Sequence, residues 1–270
     1  MRIATWNINS VKQRLGHLTA FLAEQAPDVL CLQEIKCVDE AFPVAEVEAA
    51  GYNVAVYGQK TFNGVAILSR SPLEDVRRGL PGRDGLNDGG PDEDSPDQSR
   101  YLEATISTAS GAVRVASIYL PNGNPPDTAK YPYKLRWMER LSAHTSDLLA
   151  LEEPLVLAGD YNVIPEPWDA ARPEAWVHDA LFLPQTRSAF RSLLDLGLTD
   201  ALRACTEERG LYTFWDYQAG AWQKNNGIRI DHLLLSPQAA DRLETTAIHK
   251  YMRALEKPSD HVPVSVDLRL

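Results

Sequence analysis

Leu155-Val156-Leu157-Ala158-Gly159-Asp160-Tyr161-Asn162-Val163-Ile164-Pro165 opens as an apolar run of strand length, turns polar at Asp160 and Asn162, and stops at Pro165. A buried strand holds its own backbone and leaves whatever follows at the rim of its sheet. A carboxylate and an amide placed there are available for chemistry. Period-2 spacing puts Asp160 and Asn162 on one side if the extended geometry persists. The carboxylate can accept a proton or orient a water, and the amide can donate to a phosphate oxygen. A strand running into an Asx-type turn explains the same residues without any function. What shifts the reading is that other strands of this chain carry similar cargo.

Before this stretch, Tyr131–Leu151 reads as the longest helix, with Leu135, Met138, Leu141, Thr145, Leu148 and Leu149 on one face. Upstream of it, Arg2–Ile8, Asp28–Gln33, Tyr52–Tyr57, Gly64–Ser69, Tyr101–Ser107 and Ala112–Leu120 read as strands. Ser10 is placed to cap a helix with Val11, Leu15, Leu18 and Leu22 along its stripe, and Phe42–Ala50 is a weaker helix. Downstream, Glu166–Pro184 is irregular, Arg187–Leu196 and Asp200–Cys205 are helical, and Arg229–Leu235, Thr245–Lys250 and Val262–Leu268 are strands. No repeat and no linker divides the 270 residues. Strands outnumber helices, and helices fall between groups of strands. One domain over residues 1–270, with two packed sheets and helices on their outer faces, is expected.

Composition sets limits. No apolar run reaches membrane-spanning length, and no signal-peptide pattern precedes Arg2-Ile3-Ala4-Thr5-Trp6. Cys31, Cys37 and Cys205 are few, odd in number and outside Cys-x-x-Cys spacing, which favours a reducing cytoplasm and speaks against a thiolate zinc site. A net charge of −10 argues against a nucleic-acid partner, because phosphate contacts need Lys and Arg. Much of that charge is local. The segment 84–97 holds Asp84, Asp88, Asp92, Glu93, Asp94 and Asp97 with no base, and the rest of the chain carries only −4. Rich in Gly, Pro and Asp, it reads as a surface loop that buries no core. Its ligand spacing is not that of an EF-hand.

Polar residues mark strand ends or starts in six places: Asn7, Glu34, Tyr119 with Asn122, Asp160 with Asn162, Asp231, and Asp260-His261. Six such places on separate strands are what a site at one rim of a sandwich would look like. The set is rich in hard oxygen, which suits Mg²⁺ or Mn²⁺ over zinc. Carboxylates, one His and such an ion are the kit for attack of water on a phosphodiester.

The motifs Trp6-Asn7-Ile8-Asn9, Leu32-Gln33-Glu34-Ile35-Lys36, Asn63-Gly64-Val65-Ala66-Ile67-Leu68-Ser69-Arg70, Tyr119-Leu120-Pro121-Asn122-Gly123, Lys130-Tyr131-Pro132-Tyr133-Lys134, Gly159-Asp160-Tyr161-Asn162, Arg229-Ile230-Asp231 and Lys257-Pro258-Ser259-Asp260-His261-Val262-Pro263-Val264 fall in order along nearly the whole chain. Together they resemble exonuclease III and the abasic-site (AP) endonucleases of the endonuclease/exonuclease/phosphatase superfamily. The resemblance implies a four-layered α/β sandwich of two mainly antiparallel sheets flanked by helices, with the site at one end. It implies that Glu34 binds the metal, with Asn7 and Asp260 close by. Asp160 would activate the water, Asn162 and Asn122 hold the phosphate, Asp231 fix the tautomer of His261, and Tyr119 stabilise the transition state. Phe214 and Trp215, completed by Ile228 and Ile230, resemble the wall of the pocket for a flipped-out abasic sugar. Arg70, Lys36, Lys60, Lys134 and Arg229 are the candidate DNA contacts. The activity implied is cleavage 5′ to abasic sites in double-stranded DNA, with trimming of 3′ ends or removal of 3′ blocking groups, by a cytoplasmic, nucleoid-associated monomer using Mg²⁺ or Mn²⁺.

Two features depart from the pattern: the acidic segment looks like an insertion, and 166–184 matches poorly. Two rivals stay open. A superfamily phosphoesterase acting on an inositol phosphate or a lipid suits the acidic charge. A non-catalytic relative that keeps only the binding surface is the second.

Overall fold

A computed structural model describes residues 1–82, 98–108 and 111–269; the acidic segment read as a loop insertion at 84–97 lies outside the described residues. In chain order the elements are β1 (Arg2–Asn7), α1 (Leu15–Gln25), β2 (Val29–Gln33), α2 (Val44–Ala49), β3 (Asn53–Tyr57), β4 (Val65–Ser69), β5 (Leu73–Arg78), β6 (Tyr101–Thr108) and β7 (Gly111–Tyr119). They continue with α3 (Lys130–Leu149), β8 (Leu155–Asp160), α4 (Pro184–Leu194), β9 (Thr199–Asp200), α5 (Ala201–Cys205), β10 (Asp231–Leu235), α6 (Pro237–Ala240), β11 (Leu243–Ile248) and β12 (Val264–Leu268).

Among the described residues the strands form two six-stranded sheets, ordered β11-β12-β1-β2-β4-β3 and β5-β6-β7-β8-β10-β9. Each has a parallel pair at its centre, β1 with β2 and β7 with β8, and antiparallel pairs around it. The central strands are apolar on both faces because both faces are covered. Between the sheets, Ile3, Val29, Cys31 and Val264 meet Leu102, Val115, Val156 and Leu233. On the outer face of the first sheet Trp6, Leu30 and Leu32 pack against Leu18, Phe21 and Leu22 of α1. On the outer face of the second, Ile118, Leu155 and Leu157 pack against Trp137, Met138 and Leu141 of α3 and Phe190 of α4. Helix, sheet, sheet, helix gives the four-layered sandwich, with each sheet mixed.

Strand direction then decides what shares a rim. In the first sheet β1 and β2 are parallel, so Asn7 pairs with Gln33 and both chains leave at one end. In the second, parallel β7 and β8 set Tyr119 against Asp160, and antiparallel β10 starts there, setting Asp231 against Asp160. Gly159 makes the close approach possible, because a Cβ there would lie 2.0 Å from the carbonyl oxygen of Ile118.

The structure differs from the sequence reading in several elements. Helix α1 begins at Leu15 rather than after Ser10. The Ser10 and Val11 amides bond instead to the carbonyls of Glu34 and Ile35, which ties the loop after β1 to the loop after β2. Strand β5 escapes pattern reading because Leu-Glu-Asp-Val-Arg-Arg lies at a sheet edge and is mostly exposed. The 166–184 segment contains two short 3₁₀ turns, Pro167–Asp169 and Pro173–Trp176.

Candidate active site

Asn7 joins the two sheets. Its Nδ2 donates to Glu34 Oε1 at 2.8 Å and to Asp160 Oδ2 at 2.9 Å, while its Oδ1 accepts from the Asn9 amide at 3.1 Å. His261 arrives from the segment before β12. Its Nδ1 meets the two Asp231 carboxylate oxygens at 2.9 and 3.1 Å, and its Nε2 faces Asp160 Oδ2 at 3.7 Å. Ser259 fixes that segment by donating from Oγ to the Asn7 carbonyl at 2.7 Å. Asp160 Oδ1 accepts from the Asn162 backbone amide at 2.9 Å, and the Asn122 Nδ2 donates to Asn162 Oδ1 at 3.0 Å. Asn9, Glu34, Lys36, Asn63 and Asn162 all have positive φ. Asn accepts that conformation readily; Glu and Lys do so rarely, so the loop after β2 is held there by its neighbours.

Electrostatics follow from this burial. Burial pushes the Asp160 carboxyl up to about 7; the His261 charge opposes the rise and the Asp231 charge adds to it. Burial pulls the His261 imidazole down, but Asp231 and then Asp160 outweigh it and raise it to about 10. The carboxylates thus favour the charged ring, with Nδ1 on Asp231 and Nε2 facing Asp160. Burial lifts the Glu34 carboxyl, yet Lys36, at 2.9 Å, and Asn7 bring it below its usual value. Burial and then the Glu34 charge raise Tyr119 well above the usual phenol range, so it stays a donor.

One ligand atom each from Glu34, Asp160 and His261 lies within 4.8 Å of the others. The two carboxylates suit a hard divalent ion. His261, protonated and aimed at Asp160, serves better as a cation than as a ligand. Asn7 is placed as a tie between the carboxylates, with its amide oxygen engaged by Asn9. Asp260 stands further off: its Oδ1 accepts from Asn9 Nδ2 at 3.0 Å, and Asn9 Oδ1 in turn accepts from Lys36 Nζ at 2.6 Å.

The remaining predicted contacts separate clearly. Phe214 is half-buried, with its ring centroid 5.0 Å from that of His261. Trp215, next along an extended segment, points the other way into the core around Trp6 and is 0% exposed. It cannot line a sugar pocket. Ile228 and Ile230 are buried with Ile164, Ala170 and Phe182, so they support Phe214 from beneath rather than forming an open wall.

Arg229 is also no DNA contact. It is 1% exposed, with its guanidinium on Asp169 at 2.7 Å and Asp200 at 2.8 Å. Arg70 follows the far end of β4, where Ser69 pairs with Val29, whereas Val65 pairs with Gln33 at the site. The five-residue strand thus sets it roughly 15 Å away. Lys134 is fully buried and reaches two backbone carbonyls, not solvent. Lys60 is exposed in the loop joining β3 to β4 at the site end.

Sequence reading passed over Arg100 and gave Lys130 no role within its motif. Arg100 precedes β6, donates to the Tyr119 carbonyl at 3.2 Å and lies over the Tyr119 ring at 4.7 Å. With Lys130, Asn122 and Tyr133 it lines a cavity of about 300 Å³ beside the site. Arg100 lies outside every motif, and Lys130, the first residue of one, carries no signal of its own there.

Comparison with known proteins fits this geometry. Residues 4–261 match the model of the Endonuclease/Exonuclease/phosphatase family. Exodeoxyribonuclease III of Haemophilus influenzae is 32% identical over 278 residues, covering all of both chains. Among solved structures, NExo of Neisseria, described as a 3′ phosphatase bound to a product DNA hairpin and as a 3′-5′ exonuclease, superposes with a TM-score of 0.92 at 40% identity over all of both chains. An AP endonuclease from Archaeoglobus fulgidus gives 0.91 at 35%, again over all of both chains. With the motifs in order and the rim assembled from both sheets, the chain belongs to the endonuclease/exonuclease/phosphatase family and, within it, to the exonuclease III and AP endonuclease branch.

Proposed function

We propose that this protein is a Mg²⁺-dependent DNA-repair phosphodiesterase that cuts 5′ to abasic sites and processes 3′ ends as a 3′-5′ exonuclease and 3′-phosphatase. The observation that carries the reading is the pair of bonds from Asn7 to Glu34 and Asp160, which joins the two sheets at the rim where His261 and Asp231 also meet. The names of the relatives, an exodeoxyribonuclease III, a 3′ phosphatase and an AP endonuclease, support the same chemistry.

Asp160, buried and raised toward neutrality, is suited to take a proton from water at working pH. His261, held as a cation by Asp231, faces the same cleft and offsets charge on a phosphoryl oxygen. Asn122 and Asn162 each keep an N–H beyond the bonds they make to the protein, and these are the donors for the phosphate. Tyr119 supplies a phenolic O–H from the neighbouring strand end. Glu34 is the residue to hold the ion, beside Asp160 and His261, and the ion when bound would withdraw charge from the phosphate. Phe214 gives a baseless sugar an apolar face to rest on.

Incubation with Mg²⁺ and matched duplexes carrying an abasic analogue, a 3′-phosphate or a blunt end tests this. Incision at the abasic site and release of 3′-phosphate are expected, and both should stop with EDTA. Lys60, Lys130 and Arg100 are few for a DNA enzyme, so affinity should fall steeply between about 50 and 200 mM salt. Hydrolysis of an inositol phosphate with all three duplexes left intact would overturn the assignment.

A further inference from the structure

Lys134 sits in the first turns of α3 and is 0% exposed. A buried ammonium is costly unless its protons find acceptors, so a lysine here needs a reason that an apolar residue of similar length would not meet. Its Nζ donates to the Asn162 carbonyl at 2.5 Å and to the Asn122 carbonyl at 3.1 Å. Those two residues come from different loops, one leaving β7 and the other leaving β8. Their side chains are also linked, Asn122 Nδ2 to Asn162 Oδ1, and Asn162 Nδ2 donates to the Leu120 carbonyl at 2.9 Å. Asn162 has φ 49°, a left-handed conformation that Asn accepts readily. The chain makes room for the lysine: Gly123 has φ 87°, and a Cβ there would lie 2.7 Å from Lys134 Cδ.

We propose that Lys134 is a positioning residue for phosphate binding: its buried ammonium pins the Asn122 and Asn162 carbonyls and so sets the spacing of the two amides that grip the phosphate. This rests on the role given to those amides above. The ammonium never meets DNA. Burial lowers its pKa to about 7, with the Asp160 and Asp179 carboxylates opposing the fall; charged or neutral, the group keeps at least two N–H donors, one for each carbonyl. Three N–H donors on a flexible stem can serve two carbonyls at once, which no apolar side chain can do.

Lys134→Met keeps the length and removes the donors. On the abasic duplex with Mg²⁺ it should lower kcat by about 10²-fold, the scale of a lost charge-stabilising donor, with KM within about threefold. In an Asn162→Ala background the same change should cost clearly less, about tenfold, because one of the two amides that Lys134 positions is gone and only Asn122 remains to be set. Lys134→Gln, which keeps N–H donors, should recover part of the loss. Equal losses in both backgrounds, or a loss confined to KM, would overturn the proposal. If Lys134→Met does not fold, the cycle is run with Lys134→Gln and judged by the same criterion. An Asn162→Ala enzyme as active as wild type would instead remove the role of the amides, a separate failure.

Discussion

Asp160→Asn lowers kcat for Mg²⁺-dependent incision by about 10³- to 10⁴-fold and leaves KM within about threefold, the pattern of a lost general base. The substitution is nearly isosteric, so packing around a residue that is 1% exposed is kept. Its one oxygen can still accept from the Asn162 amide, which Asp160 Oδ1 does at 2.9 Å. The new NH₂ then faces the Asn7 Nδ2, so a donor meets a donor where a carboxylate had joined the sheets. It also faces His261 Nε2, which loses one of the three carboxylates, Asp231, Asp160 and Asp260, that favour the charged ring. The proton acceptor, the tie between sheets and part of the support of the imidazolium go together, so the loss should exceed that of any rim amide. Single-turnover incision of the abasic duplex, with binding measured separately, checks it. A variant retaining a tenth of the wild-type rate would remove Asp160 from the proton-transfer role.

How much of this was legible beforehand depends on what kind of signal each residue carries. Strands such as Leu155–Asp160 announce themselves because both faces are covered, so apolar side chains run unbroken until the sheet ends. The same property exposes Asn7, Glu34, Tyr119, Asp160 and Asp231, since a polar residue at the end of such a run has left the core without leaving the scaffold. Charge and aromaticity are less informative. Trp215 and Phe214 are neighbours in sequence, yet alternation sends one to the core and the other to the cleft. Arg70 needs the antiparallel direction of β4 to be known before its end of the sheet can be named. Arg229 needs Asp169, sixty residues earlier in a stretch that shows no periodicity.

Arg229→Met therefore destabilises the fold, by about 3–5 kcal/mol, because it strands carboxylates that the guanidinium had neutralised in the interior. Arg229 donates to Asp169 from Nε at 2.7 Å and Nη2 at 3.1 Å, and to Asp200 from Nη1 at 2.8 Å. Arg203 remains on Asp169 at 2.6 Å, which limits the loss there and leaves Asp200 the more exposed to it. In the wild type, burial raises both carboxyls but Arg229 outweighs it and holds them below the ordinary carboxylate value. A depressed carboxyl stabilises above its unfolded pKa of about 4 and loses that contribution as pH falls through the folded value. The variant reverses the sign: its unpaired carboxyls should rise, so its deficit is full at neutral pH and shrinks on acidification. His232 contributes to that recovery. Burial and then Arg229 lower it to about 4, so losing the arginine removes the second of these causes and leaves Asp200 to favour the charged ring as pH falls. Thermal melts at pH 7.5 and 5 should show a Tm loss on the order of 10 °C at the higher pH and less at the lower. Arg70→Met, exposed and distant, should change stability by no more than about 0.5 kcal/mol. An Arg229→Met protein with wild-type stability but weakened, less salt-dependent DNA binding would restore the arginine to the DNA interface and undo the buried-clamp account.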